Sequence, residues 1–128
     1  MALFPSGSGM GGYGDIEVGT ERKVGTFTLN NVTYDRYLKV IDLGTLPSNQ
    51  TKRMAHGISN YVGFISVRGV GYGTTNNIFY NFPLPRTFMI SSALHVCDIF
   101  IEGANIALNC PDFDLSAYKG YAFLEYYK

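Results

Sequence analysis

Two runs rich in β-branched and aromatic residues, Val96 to Glu102 and Asn105 to Cys110, are separated only by Gly103-Ala104. A two-residue connection between such runs closes an antiparallel hairpin, and glycine at the first loop position selects a type II′ turn. The register follows directly. Glu102 faces Asn105, Ile101 faces Ile106, Ile99 faces Leu108 and Cys97 faces Cys110. Because side chains alternate with period two, Cys97, Ile99, Ile101, Ile106, Leu108 and Cys110 share one face of the sheet. Asp98, Phe100, Glu102, Ala107 and Asn109 take the other. Directly opposed strand residues have Cα atoms about 4.5 to 5.5 Å apart, so the cysteines stand within disulfide reach. In a reducing compartment they are expected as free thiols.

The same grammar extends upstream. From Arg22 onward, short apolar runs recur between turn signals at the spacing of an antiparallel β-sandwich. Strands are expected over Lys23–Leu29, Tyr34–Asp42, Lys52–Ala55, Tyr61–Val70, Asn77–Asn81, Thr87–Ser91, Ala93–Glu102, Asn105–Cys110 and Lys119–Tyr126. Asn30-Asn31 suits a hairpin turn, Leu46-Pro47-Ser48-Asn49 a loop, and Pro83-Leu84-Pro85 an extended connection. No window supports an amphipathic helix. Asp112 to Tyr118 has room for a single turn, between Pro111 and Gly120.

At 128 residues the chain is read as one domain, residues 21–128, preceded by a glycine-rich segment, residues 1–20. That segment holds six Gly and two Ser, which suits a flexible linker. It equally suits an attachment arm in which Phe4, Met10 and Tyr13 dock on a partner while the glycines let the backbone bend.

Ten Tyr and nine Phe in so small a chain favour strands with contact surfaces beyond their own core, since Tyr joins a large apolar face to a hydroxyl that stays wet. Net charge is zero, which removes the electrostatic case for nucleic acid. The charge is nonetheless segregated: residues 1–21 carry three acids and no base, residues 22–97 eight bases and two acids, residues 98–128 five acids and two bases. Complementary patches of this kind can orient subunits, or can simply lie on solvated strand faces. No apolar run is long enough for a transmembrane helix, and Met1-Ala2-Leu3-Phe4-Pro5 lacks the basic start and apolar block of a signal peptide, so membrane insertion is not expected and assembly in a cytoplasm is.

Chemical motifs are sparse. His56 and His95 sit in no ligand-spaced pair; His56, before Gly57, is expected to hydrogen-bond at a strand end, and His95 to pack in a strand or interface. Asp112-x-Asp114-x-Ser116 begins like a calcium loop but lacks the Gly and distal Glu, so a backbone-bonded turn is expected. There is no nucleophile elbow, phosphate loop or dinucleotide fingerprint, and no cofactor or metal is expected. Gly69-Val70-Gly71-Tyr72-Gly73 with Thr74-Thr75-Asn76-Asn77 is the stretch least explained by folding needs. It reads as a bulge or mobile connection, or as a recognition loop presenting Tyr72, Asn76, Asn77 and Tyr80.

A family resemblance lies in the order of Glu21-Arg22-Lys23-Val24-Gly25-Thr26-Phe27, Val32-Thr33-Tyr34-Asp35-Arg36, Lys39-Val40-Ile41-Asp42-Leu43-Gly44-Thr45-Leu46-Pro47 and Lys52-Arg53-Met54-Ala55-His56-Gly57-Ile58. It continues through Ile99–Ile101, the Asp114-x-Ser116-x-Tyr118 turn and the Glu125-Tyr126 strand. Over roughly residues 21 to 128 the chain resembles the C-terminal head domain of tailed-phage tail fibres and receptor-binding proteins. The family usually ends Glu-Tyr-Thr-Lys where this chain has Tyr127 before Lys128, and Gly69 to Pro83 is longer and richer in Asn and Tyr.

The resemblance implies a homotrimeric β-sandwich in a virion tail or fibre, joined to other virion proteins through the N-terminal arm. Its work would be non-covalent adhesion to a bacterial surface glycan or protein. Two other readings stay open: a capsid-decorating or tail-joining subunit whose arm grips a neighbour, and a glycan hydrolase with two carboxylates across a groove.

Overall fold

The computed structural model describes residues 17–75, 77–83, 88–90, 93–95 and 97–128. Among the described residues ten strands run in chain order: β1 (Arg22–Leu29), β2 (Val32–Thr45), β3 (Ser48–Ala55), β4 (Gly63–Gly73), β5 (Phe79–Phe82), β6 (Phe88–Ile90), β7 (Ala93–His95), β8 (Asp98–Glu102), β9 (Asn105–Asp114) and β10 (Tyr118–Tyr127). Among the described residues there is no helix, and every paired strand is antiparallel. The protein is all-β.

Local chemistry sets the tight hairpins. Asn30 and Asn31 both take positive φ, 50° and 64°, the sign pattern of a type I′ turn whose twist matches the strands it joins. Leu29 therefore faces Val32, and Thr28 and Thr33 share a hydroxyl hydrogen bond of 3.0 Å. At the β8–β9 turn Gly103 has φ 58° and Ala104 does not share the positive sign, as a type II′ turn requires. The register is the expected one, from Glu102 opposite Asn105 to Asp98 opposite Asn109.

Three sheets result, ordered β1-β2-β10-β4-β5, β3-β9-β8 and β6-β7. Strand β10 is the spine of the largest, flanked by β2 and β4. The β2–β10 ladder continues into the β3–β9 ladder across one corner, where Leu46 N–H donates to the Tyr118 carbonyl (2.9 Å) and Leu115 N–H to that of Pro47 (3.0 Å). Leu46 and Leu115 plug this corner from inside. The folded ribbon brings the five- and three-stranded sheets over a shared core of Ile41, Leu43, Leu46, Phe82, Ile99, Ile106, Leu108, Leu124 and Tyr126.

Alternation along β10 shows how the core is cut from sequence. Gly120, Ala122, Leu124 and Tyr126 are buried, while Tyr121, Phe123, Glu125 and Tyr127 face the other way. The Tyr126 ring stacks on Tyr37 at 5.8 Å, and its hydroxyl donates to the Glu21 carboxylate, which also pairs with Lys128. The segregated charge is partly paired within the chain, through Glu21–Lys128 and through Arg53–Glu102 at 2.7 Å.

Four sequence expectations need correction. The loop expected over Leu46–Asn49 is only Leu46-Pro47, where the chain changes sheets, and β3 already begins at Ser48. Gly71 to Gly73 is strand, because β4 turns its glycines inward and lets large side chains lie against bare backbone. A Cβ on Gly71 would stand 2.9 Å from Leu46 Cδ1 and 3.0 Å from Phe82 Cε2. Ala93–Glu102 is two strands, β7 and β8, in different sheets. Lastly, β9 runs on to Asp114 before a turn closed by Tyr118 N–H to the Leu115 carbonyl at 2.9 Å.

Residues 17–20, grouped with the linker by composition, touch the large sheet: Gly19 N–H donates to the Val40 carbonyl at 2.6 Å, and Val18 packs with Leu38 and Val40. Phe4, Met10 and Tyr13 lie outside the described residues.

Candidate functional site: the outer face of the large sheet

The outer face of the five-stranded sheet carries a band of apolar and aromatic side chains, Leu38, Val40, Tyr121 and Phe123. Its β1–β2 end is partly roofed, since Val18 and Val24 cover Leu38 and Val40. Toward β4 and β5 the face opens. There the inward glycines of β4 dictate that Arg68, Val70 and Tyr72 point outward, and the register sets Arg68 beside Phe123, Val70 beside Tyr121 and Asn81, and Tyr72 beside Phe79.

These side chains build a platform. The Arg68 guanidinium lies 5.6 Å from the centroid of the Phe123 ring, in the range of a cation–π contact. Tyr72 and Tyr121 stack with centroids 6.1 Å apart and planes 17° from parallel. Phe79, at 70% exposure, extends the apolar edge. Between them a shallow depression of about 320 Å³ is lined by Arg68, Gly69, Val70, Asn81, Phe82 and Phe123. Arg68 forms no ion pair with another described residue, and it lines the depression beside Phe123. Burial, reinforced by Tyr72 and Asp42, raises the Tyr121 phenol, which therefore acts as a neutral hydroxyl.

Chemically, this is a surface of ring faces bordered by a fork of N–H donors and an amide. It can stack against the C–H face of a sugar while Arg68 and Asn81 bond its hydroxyls. None of the six lining residues is a carboxylate.

The residues singled out from sequence divide. Tyr72 lies on the platform, and Asn77 is exposed at the adjacent turn, where Gly73 N–H donates to the Ile78 carbonyl at 2.9 Å. Tyr80 faces inward: it pairs with Gly71, meets Tyr118 edge-on at 5.2 Å, and is pushed up to about 12 by burial and then by its hydrogen bond with Tyr118. Asn76 lies outside the described residues. Arg68, Phe79, Asn81, Tyr121 and Phe123 were not singled out. The period-two patterns Val70-x-Tyr72 and Tyr121-x-Phe123 were the available signal.

A second concavity, of about 550 Å³, runs from Thr45 to Arg53 beside Ser116. Its cations are engaged: Lys52 Nζ donates to the carbonyls of Leu43 and Thr45, and Arg53 holds Glu102. In the Asp114 turn, Ser116 N–H donates to the Asp114 carboxylate at 2.9 Å, and hydrogen bonds from Ser116 and Ser48 lower that carboxyl.

His56 is buried and fully engaged. Its Nδ1 accepts from Ile58 N–H at 3.0 Å, which leaves Nε2 to donate to the Gly103 carbonyl at 2.9 Å. Tyr61 and Phe64 close over the ring edge-on. The side chain thus ties the end of β3 to the β8–β9 turn. The His95 side chain lies outside what the structure describes. Among the described residues, no group of three or more His, Cys, Asp or Glu is placed to hold a metal ion, and no helix is long and apolar enough to cross a membrane.

Comparison with protein-family models, with curated proteins and with solved structures returns no match for this chain.

Proposed function

We propose that this chain is the β-sandwich head of a phage tail fibre or receptor-binding protein, assembled as a homotrimer, that adheres non-covalently to a bacterial surface glycan. The observation that supports the reading is the platform of Tyr72, Tyr121 and Phe123 with Arg68 and Asn81 at its border. Ring faces on a rigid sheet lose little entropy on binding, and a planar guanidinium offers hydroxyl groups several fixed donors. Affinity at one such shallow site is weak. Three copies in a trimer, and several fibres on a particle, raise it through effective concentration.

The test is binding of the purified chain to immobilised bacterial surface polysaccharides, using Tyr72→Ala, Arg68→Ala and Asn77→Ala. Truncating a central aromatic or Arg contact typically costs ~1–2 kcal/mol of binding, roughly 5- to 30-fold in affinity. Thermal stability should stay nearly constant, because these side chains are outside the core. Unchanged binding for the Tyr72 and Arg68 variants would move the function elsewhere and favour the capsid-decorating or tail-joining reading.

A further inference from the structure

We propose that Cys97 and Cys110 form a reversible cross-strand disulfide, closed by a low-molecular-weight disulfide once the protein leaves a reducing compartment. The proposal stands apart from the adhesion reading, because it concerns the core of the small sheet.

The geometry comes from the hairpin. The β8–β9 ladder ends with Asp98 opposite Asn109; carried one step beyond it, the same register sets Cys97 against Cys110, and both side chains lie in one core cluster. In a two-residue hairpin the pair flanking the turn exchanges both backbone hydrogen bonds, and the pattern then alternates. Glu102/Asn105, Phe100/Ala107 and Asp98/Asn109 are hydrogen-bonded pairs, so Cys97/Cys110 occupies a non-hydrogen-bonded site. There the Cα atoms approach to about 4.5 Å and the side chains lie closest. That separation falls at the short end of the disulfide range.

Both side chains point into the core beside Ile99, Ile106 and Leu108. They are free thiols in this structure, buried in one cluster, and each shifts the titration of the other. Donation from the Cys110 thiol lowers the Cys97 thiol, and the same bond together with burial raises Cys110. The two sulfurs are therefore unequal. Cys97 is the nucleophile and Cys110 the resolving thiol.

Access is unequal in the same sense. Cys97 immediately precedes β8, a five-residue strand at the edge of its sheet, whereas Cys110 lies in β9, held between β3 and β8. Fraying of β8 exposes Cys97 while β9 stays paired to β3. The Cys97 thiolate then attacks one sulfur of a small disulfide RSSR, releasing RS⁻, which takes up a proton, and leaving Cys97–S–SR. Cys110 loses its proton to solvent, attacks the Cys97 sulfur and expels the second RS⁻, which is protonated in turn. Two electrons pass from the cysteine pair to RSSR, and two RSH leave. Burial when β8 is closed protects both sulfurs from over-oxidation.

The test exposes the full reduced chain to excess oxidised glutathione and follows intact mass. The expected product is a monomeric chain that has lost two hydrogens, with no glutathione retained, and a melting temperature roughly 9 to 12 °C higher, as closing a loop of this length predicts. Cys110→Ser should stop at a stable glutathione adduct on Cys97. Cys97→Ser should react far more slowly. A wild-type chain that remains a dithiol through many hours of excess oxidant, or that oxidises only between chains, overturns the proposal. Equal adduct rates for the two Ser variants would overturn the assignment of Cys97 as nucleophile.

Discussion

Gly71→Ala isolates the physical reason for the glycines of β4. Gly71 does not share the positive φ of the turn glycines, so alanine is conformationally allowed there and the cost is steric. The new Cβ would meet Leu46 Cδ1 at 2.9 Å and Phe82 Cε2 at 3.0 Å, closer than carbon atoms pack. Both neighbours are buried at 2% exposure and wedged at the corner between sheets. Overpacking of this kind costs about 1–3 kcal/mol. Replacing glycine also restricts the unfolded chain, which returns ~0.4–1 kcal/mol. The net destabilisation should be about 1–2 kcal/mol, or roughly 3 to 8 °C in Tm for a domain of this size. Leu46→Ala alone should cost ~2–5 kcal/mol by opening a cavity. In the double variant the alanine methyl enters that cavity, so the combined cost should fall short of the sum by about 1 kcal/mol or more. Urea unfolding followed by far-UV circular dichroism gives all three values. Additivity within ~0.5 kcal/mol, or a neutral Gly71→Ala, would refute the claim that the glycine face exists to seat Leu46 and Phe82.

Other outcomes follow from the same structure. Asn31→Ala should lose about 1–2 kcal/mol, because its φ of 64° is strained for alanine, whereas Asn31→Gly should be neutral or stabilising in the same denaturation assay. Burial, and then the Glu21 hydrogen bond, raises the Tyr126 phenol, while burial and Tyr118 hold Tyr80 at about 12. Their stabilising effect is complete below the unfolded phenol value of about 10 and is lost as pH rises through the folded values, so Tyr126→Phe should flatten the fall in stability above pH ~10. Light scattering of residues 21–128 should give three times the protomer mass; a stable monomer at micromolar concentration would count against the trimeric head.

The sequence was most legible where one backbone constraint acts locally. Asn30-Asn31 sets the β1–β2 hairpin, and Gly103 sets the β8–β9 hairpin and the faces taken by residues 98–102 and 105–109. It was least legible where a strand carries no hydrophobic alternation of its own. The Ser48-Asn49-Gln50-Thr51 start of β3 reads as polar loop because its strand character comes from pairing with β9. Gly71 reads as loop because the side chains that pack on it, Leu46 and Phe82, come from outside its own strand. The platform was hidden for the same reason. Arg68 and Phe123 become neighbours only when β10 inserts beside β4, and Tyr80 turns inward because it pairs with Gly71.

The central place of β10 also bears on how the chain is made. Strands β1 and β2 can pair as soon as they emerge from the ribosome, and so can β4 and β5. Each of those hairpins then offers an open edge to the other. Only residues 118–127 can fill the gap, and they also supply Leu124 and Tyr126 to the core. Synthesis therefore leaves two half-sheets waiting for the strand that joins them, a state prone to mispairing between neighbouring nascent chains. A product truncated before Tyr118 would lack the spine altogether, so the cell's proteases would meet it as an unfolded chain and clear incomplete copies.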